Sequence, residues 1–171
     1  QINVPDQSAL DITGDITVTA WIYPTGAANH DGVFLSKRQA SGNTNWQFFF
    51  HSSDKLSYHD HTNSSKTASS TNITHNTWQF VVFTIGSNTL KIYKNAVLQD
   101  TFSGLSARPT NSAPLAFGSA NYNSGAEEYA GRMQDITIWN RALSASEISA
   151  LYASGDGYLL ENGLIVPLLP N

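Results

Sequence analysis

The chain of 171 residues contains no cysteine. Disulfide bridges and thiolate metal sites are therefore excluded. Charge is scarce too: Asp, Glu, Lys and Arg make up 13% of the residues, about half the share usual in a soluble domain. The formal net charge is −4, and no cluster of Lys or Arg occurs, so nucleic acid and anionic membrane are poor partners, and no nucleic-acid partner is expected. No run of 18 apolar residues exists, so no transmembrane helix and no membrane insertion are expected. No signal peptide precedes Gln1, and the chain reads as a mature protein or an excised domain, part of a larger protein or assembly. What is there is apolar and neutral-polar. Apolar residues reach 40%, enough for one globular core, so a single domain over 1–171 is expected. Ser, Thr and Asn do the solubilising, which suits a β-rich surface outside a cell or on a virus particle. Two glycosylation sequons, Asn63-Ser64-Ser65 and Asn72-Ile73-Thr74, matter only in a host that glycosylates.

Helical periodicity is also rare. Short alternating segments dominate: "DITVTAWIYP" sets Ile16, Val18, Ala20 and Ile22 against Thr17, Thr19, Trp21 and Tyr23, the period of a half-buried strand. "GVFLSK", "NWQFFFH", "KLSYHDH", "TWQFVVFTIG", "NTLKIYKN", "APLAFGS" and "GRMQDITIWN" read as further strands, with Gly86-Ser87-Asn88 as one turn. "GLIVPLL" is expected to pair with "QINVP". At least eight strands between turn signals predict an all-β, two-sheet antiparallel jelly-roll sandwich. The polar run "TNSSKTASSTNITHN" reads as a surface loop with a weak strand inside. One short C-terminal helix is predicted in "LSASEISALYASG": Ser144 and Glu147 form a capping box, Leu143 and Ile148 a hydrophobic staple, and Gly155 a stop. It is expected to lid one end of the sandwich.

The triplet His59-Asp60-His61 is the most chemical stretch. On a strand, successive side chains point to opposite faces, so His59 and His61 share one face and Asp60 takes the other. The three cannot hold one metal together, and no third ligand stands in reach, so zinc is not expected. The register of the hairpin decides the neighbours. A four-residue loop pairs Phe48 with His59; a five-residue loop pairs Gln47 with His59 and Asn45 with His61. The second is preferred, because it gathers Trp46, Phe48, Phe50, Leu56 and Tyr58 on one face. The other face then carries Asn45, Gln47, Phe49, Ser57, His59 and His61, and it is expected to be solvent-exposed.

The segments "VPDQSALDITGDITVTAWIYP", "GVFLSK", "TWQFVVFTI…LKIYKNAVL" and "GRMQDITIWNRALSASEISALY", in this order, resemble the laminin-G-like group of the concanavalin-A-like lectin and glucanase jelly rolls, a group distantly related to pentraxins. The resemblance implies two antiparallel sheets packed face to face, one of them curved, and Trp21 and Trp78 as packing residues. It also implies an Asp-Gly or Asn-Gly turn where this chain has Asn95-Ala96; since Ala tolerates positive φ poorly, another turn type is expected there.

The fold leaves function open. The glucanase relatives carry Glu-x-Asp-x-x-Glu, which is absent, and Glu127, Glu128, Glu147 and Glu161 are the only glutamates. Glu127 and Glu128 are consecutive and would face opposite ways on a strand, so the paired carboxylates of glycoside hydrolysis are missing. The serine-hydrolase elbow is missing as well, and no catalytic residue is assigned. Pentraxin-like relatives bind calcium through loops matching "SKRQASGN" and "FGSANYN", but Ala40, Ser41 and Ala120 stand where carboxylates would be needed. No cofactor is assigned, apart from a structural calcium near Asp135 that some relatives suggest; the competing reading is a buried carboxylate tying down loop amides or Arg141. Sugars are held by aromatic faces flanked by polar groups. The candidate ligand-binding residues are Asn45, Gln47, Phe49, His59 and His61 on the hairpin and Asn121 and Tyr122 in the loop "SANYNSG". These point to a non-catalytic, extracellular carbohydrate-binding or adhesion module whose partner is a glycan or a protein surface. The alternative is a structural or assembly domain, such as a virion decoration; a third reading is an appendage of a carbohydrate-active enzyme.

Overall fold

The computed structural model describes residues 1–25, 32–39, 44–51, 53–60, 64–120, 127–155, 160–161 and 164–165. The strands are β1 (Ile2–Val4), β2 (Ile16–Pro24), β3 (Gly32–Arg38), β4 (Thr44–His51), β5 (Lys55–His59), β6 (Ser65–Asn72), β7 (Gln79–Gly86), β8 (Thr89–Lys94), β9 (Val97–Ser103), β10 (Leu115–Phe117) and β11 (Gly131–Trp139). After helix α1 (Ala145–Ser154) come the short strands β12 (Leu160–Glu161) and β13 (Leu164–Ile165). One sheet runs β1-β10-β3-β4-β5-β6, the other β11-β2-β7-β8-β9, and β12 pairs with β13. The pairs are antiparallel, and the architecture is the expected jelly-roll sandwich. One pairing differs from expectation. The strand Ile2–Val4 pairs with Leu115–Phe117 rather than with the C-terminal segment, whose Leu164–Ile165 pairs with Leu160–Glu161. The polar run, expected as a surface loop with a weak strand inside, holds an eight-residue strand, β6, joined to β5 by a shifted register.

Alternation builds the core. Ile16, Val18, Ala20 and Ile22 of β2, Val81, Phe83 and Ile85 of β7, and Leu90 and Ile92 of β8 face Phe34 and Leu35 of β3, Trp46, Phe48 and Phe50 of β4, and Leu56 and Tyr58 of β5. Phe48 and Phe83 meet across the sheets with ring centroids 4.7 Å apart. In β3 a bulge between Val33 and Leu35 turns two consecutive residues, Phe34 and Leu35, into this core.

The opposite, outer face of the five-stranded sheet has its own cluster. Phe80 and Val82 of β7 and Tyr93 of β8 pack against Leu143, Ile148 and Leu151. Thus α1 covers a sheet face instead of closing an end of the sandwich. Tyr152 stacks on Trp21 at 5.7 Å, and Trp78 lies 5.5 Å from Tyr23. Both tryptophans are packing residues, half-buried outside the inter-sheet core. The helix is capped as expected: Ser144 accepts from the Glu147 N–H, Glu147 reaches back to the Ser144 N–H, and Gly155 ends the helix at φ 71°. Arg141 donates to Glu147 at 2.7 Å. This bond, together with those from Ser144, holds the Glu147 carboxyl at a pKa of about 2. A depressed carboxylate stabilises the fold above its ordinary range near ~4.3 and loses that contribution as pH falls toward the folded value. The stability gap between the protein and its Glu147→Gln variant is therefore expected to be constant near neutrality and to close between about pH 4.5 and pH 2. Urea midpoints at several pH values measure it, and a gap that persisted at pH 2 would exclude this anchoring.

Local backbone chemistry explains the motif "GRMQD". A Cβ on Gly131 would lie 2.3 Å from the Tyr23 carbonyl oxygen and 2.8 Å from the Tyr129 hydroxyl, so only glycine lets β11 close on β2 there. Four residues on, Asp135 takes φ 52° at a bulge between Gln134 and Thr137, a left-handed conformation that Asp tolerates better than most residues. The Asn95-Ala96 turn corrects an expectation: both residues adopt positive φ, 49° and 62°, as in a type I′ hairpin. Asn95 is held by the Phe80 backbone, donating its N–H to Phe80 O at 2.7 Å and accepting the Phe80 N–H on Oδ1 at 2.9 Å. The Ala96 methyl packs on the outer cluster, a contact glycine would not make.

Candidate functional site

On the outer face of the six-stranded sheet, register aligns one polar residue from each of four strands. Ser36 of β3 pairs with Gln47 of β4, Gln47 with His59 of β5, and His59 with Ser65 of β6. The preferred hairpin register is the one observed, and Trp46, Phe48, Phe50, Leu56 and Tyr58 all lie in the core. Gln47 is the centre of the row. Its Oε1 accepts from Arg38 Nη1 at 3.0 Å, and its Nε2 donates to Glu127 Oε2 at 3.3 Å. The amide thus turns its acceptor to the cation and its donor to the carboxylate, the one orientation that satisfies both. Glu127 lies in the segment before β11, which docks on β3 where Val33 donates its N–H to Glu127 O at 3.3 Å.

His59 completes the cluster. Its Nδ1 lies 3.2 Å from Arg38 Nη1. A guanidinium only donates, so Nδ1 must accept, and the ring proton of the neutral imidazole sits on Nε2. From there it is donated to Ser65 Oγ. The ring also meets Phe49 edge-on at 4.7 Å. Arg38, Gln47, His59 and Glu127 therefore form one connected network of a cation, an amide, a neutral imidazole and a carboxylate.

The face is not the open surface expected from the sequence. Gln47, Phe49, Ser57 and Asn45 are buried, and His59 is half-buried. Phe49 is covered by Val33 and Ala120, and Ser57 donates to Thr67 at 2.9 Å. Asn45 leaves the row: the register shifts between Lys37 and Arg38, making Asn45 the extra residue of β4. A bulge breaks the alternation, and the Asn45 side chain donates to Pro109 O at 2.8 Å. Its Oδ1 is buried without a hydrogen-bond partner. His61, Asn121 and Tyr122 lie outside the described residues. Sequence reasoning missed Arg38 and Glu127 as members of the site. Arg38 ends β3, beyond two shifts of its register against β4 that defeat simple alternation, and Glu127 is 80 residues from Gln47.

Within the triplet, Asp60 turns away from His59. Asp60 is buried near Tyr58, on the core side, and accepts the Ser64 N–H on Oδ1 at 3.1 Å. Burial pushes the Tyr58 phenol up to about 12, opposed by the Arg108 guanidinium and reinforced by Asp60. Asp135, expected as a buried carboxylate or a calcium ligand, is exposed, and Arg141 pairs with Glu147. No group of three or more His, Asp or Glu side chains that could hold a metal ion occurs among the described residues. Among the described residues no helix is long and apolar enough to cross a membrane.

Comparison with known proteins places this geometry. A laminin G family model, described as the concanavalin A-like lectin/glucanases superfamily, matches residues 1–149. The chain belongs to that superfamily. Among curated proteins none matches it. Solved structures share the fold at low identity. A native heptameric SAP-like pentraxin from Limulus polyphemus superposes with TM-score 0.69 at 16% identity, over 90% of this chain and 74% of that one. The Ruminococcus gnavus IT-sialidase CBM40, solved with α2,3-sialyllactose, gives TM-score 0.70 at 10% identity, over 89% and 97%. Domain 4 of an extracellular arabinanase from Geobacillus stearothermophilus, solved with arabinotriose, gives 0.66 at 17% identity, over 88% and 71%. At these identities the likeness is one of fold.

Proposed function

We propose that this superfamily member is a non-catalytic, extracellular glycan-binding module. The observation that carries the reading is the Arg38–Gln47–His59–Glu127 network on the outer face of the six-stranded sheet. A cation, an amide, an imidazole and a carboxylate held together supply the donors and acceptors that sugar hydroxyls need. The saccharides bound by the CBM40 and arabinanase domains support the ligand class. The glutamates speak for binding over hydrolysis: Glu147 is engaged in capping the helix and Glu127 in the Gln47 bond. Tyr122 and Asn121 remain sequence-based candidates for the rim.

Affinity is expected in the roughly micromolar to millimolar range, since the network offers few aromatic faces. A glycan array followed by calorimetric titration tests the reading. His59→Ala removes the acceptor that positions Arg38 and is expected to weaken binding by about tenfold, the loss of one charge-assisted hydrogen bond. Tyr122→Ala is titrated beside it. Absence of saccharide binding at millimolar concentration would sink the proposal.

A further inference from the structure

We propose that Asp6, Asp11, Asn111 and Ala113 build a hard-cation site, that the Lys37 ammonium is its resident cation, and that calcium takes the site once the ammonium is removed. Five oxygens surround Lys37 Nζ: Asp6 Oδ1 at 2.6 Å, Asp11 Oδ1 at 3.0 Å, the Asn111 and Ala113 carbonyls at 3.0 Å each, and Asn111 Oδ1 at 3.3 Å. Carboxylate, backbone carbonyl and side-chain amide oxygens are the donors that calcium uses in proteins. These five include no sulfur and no imidazole, the donors that suit zinc and copper. Lys37 is wholly buried, and its charge is sustained there because the oxygens replace its hydration. A cation therefore already sits in the cage, supplied by the chain itself.

The cage keeps its shape through bonds that do not use Nζ. A single 3₁₀ turn, Ser8–Leu10, separates the two aspartates, and Asp11 donates its N–H to Ser8 O at 3.2 Å. Asn111 donates its N–H to Asp11 Oδ1 at 3.3 Å and Nδ2 to the Lys37 backbone carbonyl at 3.1 Å. Ala113 donates its N–H to Asn111 Oδ1 at 3.0 Å. Shortening the Lys37 side chain thus leaves the oxygens in place and opens the space between them. Charge and size then select the ion. Two carboxylates face one ammonium, and a divalent ion matches both. Calcium takes oxygens at about 2.3–2.6 Å in flexible geometry, whereas magnesium demands a near-ideal octahedron at about 2.0–2.1 Å. A cage with oxygens 2.6–3.3 Å from its centre contracts less to hold calcium. Asp6, with its side chain 35% exposed, gives the ion a way in from solvent.

The test compares the unaltered chain with Lys37→Ala, which vacates the cage, and Lys37→Met, which keeps it filled with an apolar side chain. Melting temperatures are measured in chelator and in calcium, magnesium or potassium. Lys37→Ala is expected to bind calcium with a dissociation constant of roughly 0.1–1 mM, the range of extracellular calcium modules. A tenfold excess of calcium over that constant should raise its melting temperature by about 3–6 °C. Magnesium and potassium should raise it much less, and neither the unaltered chain nor Lys37→Met should respond to calcium. Terbium, a hard ion that occupies calcium sites, gives a second readout. Trp46, the register partner of Lys37, should sensitise terbium emission in Lys37→Ala, and added calcium should abolish that signal by displacement. Folding of Lys37→Ala in calcium but not in chelator also supports the assignment, because metal binding is then coupled to folding. Four outcomes overturn it: no calcium response in Lys37→Ala, its failure to fold even in calcium, an equal response to potassium, or an equal response in Lys37→Met or the unaltered chain.

Discussion

Replacing Lys37 by methionine is expected to lower stability by roughly 3–5 kcal/mol, the range seen when one member of a buried ion pair is removed. Lys37 lies on the core side of β3, opposite Trp46, and is wholly buried. Its ammonium is ringed by Asp6 Oδ1 at 2.6 Å, Asp11 Oδ1 at 3.0 Å, the Asn111 and Ala113 carbonyls at 3.0 Å each, and Asn111 Oδ1 at 3.3 Å. Asn111 returns the contact, donating Nδ2 to Lys37 O at 3.1 Å. One cation thus ties the segment after β1 and the segment before β10 to the central strand β3. Methionine matches the volume but removes the ammonium from two carboxylates and three neutral oxygens; Asp11 Oδ1 and Asn111 Oδ1 keep backbone donors from Asn111 and Ala113, while the Asn111 and Ala113 carbonyls lose this donor, and leaving buried polar groups short of partners costs more than the lost attraction between the charges. Urea unfolding followed by tryptophan fluorescence should show the midpoint falling with little change in slope. Asp6→Asn, whose carboxylate is partly exposed at 35%, should cost much less. Equal losses in Lys37→Met and Asp6→Asn, or a Lys37→Met variant as stable as the parent, would contradict this account.

What was legible in the sequence follows from which signals are local. The hairpin register was readable because a slip by one residue would move Trp46, Phe48, Phe50, Leu56 and Tyr58 out of the core together. The helix ends were readable because Ser144, Glu147 and Gly155 act within one turn of the backbone. Whether the face beyond was open could not be read, because its cover comes from far along the chain: Ala120 over Phe49, and Glu127 against Gln47. Lys37 was illegible for the same reason. A lysine on a strand reads as a solvated side chain, and its oxygens come from residues 6, 11, 111 and 113. Asn45 shows a further limit. A bulge adds one residue and breaks the alternation, and no composition signal in "SGNTNW" marks it. The weak strand β6 was half-legible, since Ser and Thr do not separate a loop from an edge strand.

Phe48 and Phe49 are neighbours in sequence, both wholly buried, and truncating them is expected to have different consequences. Phe48→Ala opens a cavity between the sheets, where the ring meets Phe83 at 4.7 Å, Tyr58 at 5.5 Å and Trp46 at 5.6 Å. Those partners belong to three strands of both sheets and cannot close the gap together, so the loss should reach about 3–5 kcal/mol. For a domain of this size that lowers the melting temperature by roughly 10 °C. Phe49 lies on the other face, in a cluster with Val33 and Ala120 and against the His59 ring. Ala120 lies beyond the end of β10, outside the strands of the sheet, and can relax more easily than a paired strand, so Phe49→Ala should cost less stability. Its effect falls on the network instead, because the imidazole that accepts from Arg38 loses the ring that fixes its plane. Calorimetry and saccharide titration on the pair separate the two outcomes: Phe48→Ala lowers stability most, and Phe49→Ala lowers affinity more than its stability loss accounts for. If Phe49→Ala bound saccharide as the parent does, the position of His59 would not depend on that contact.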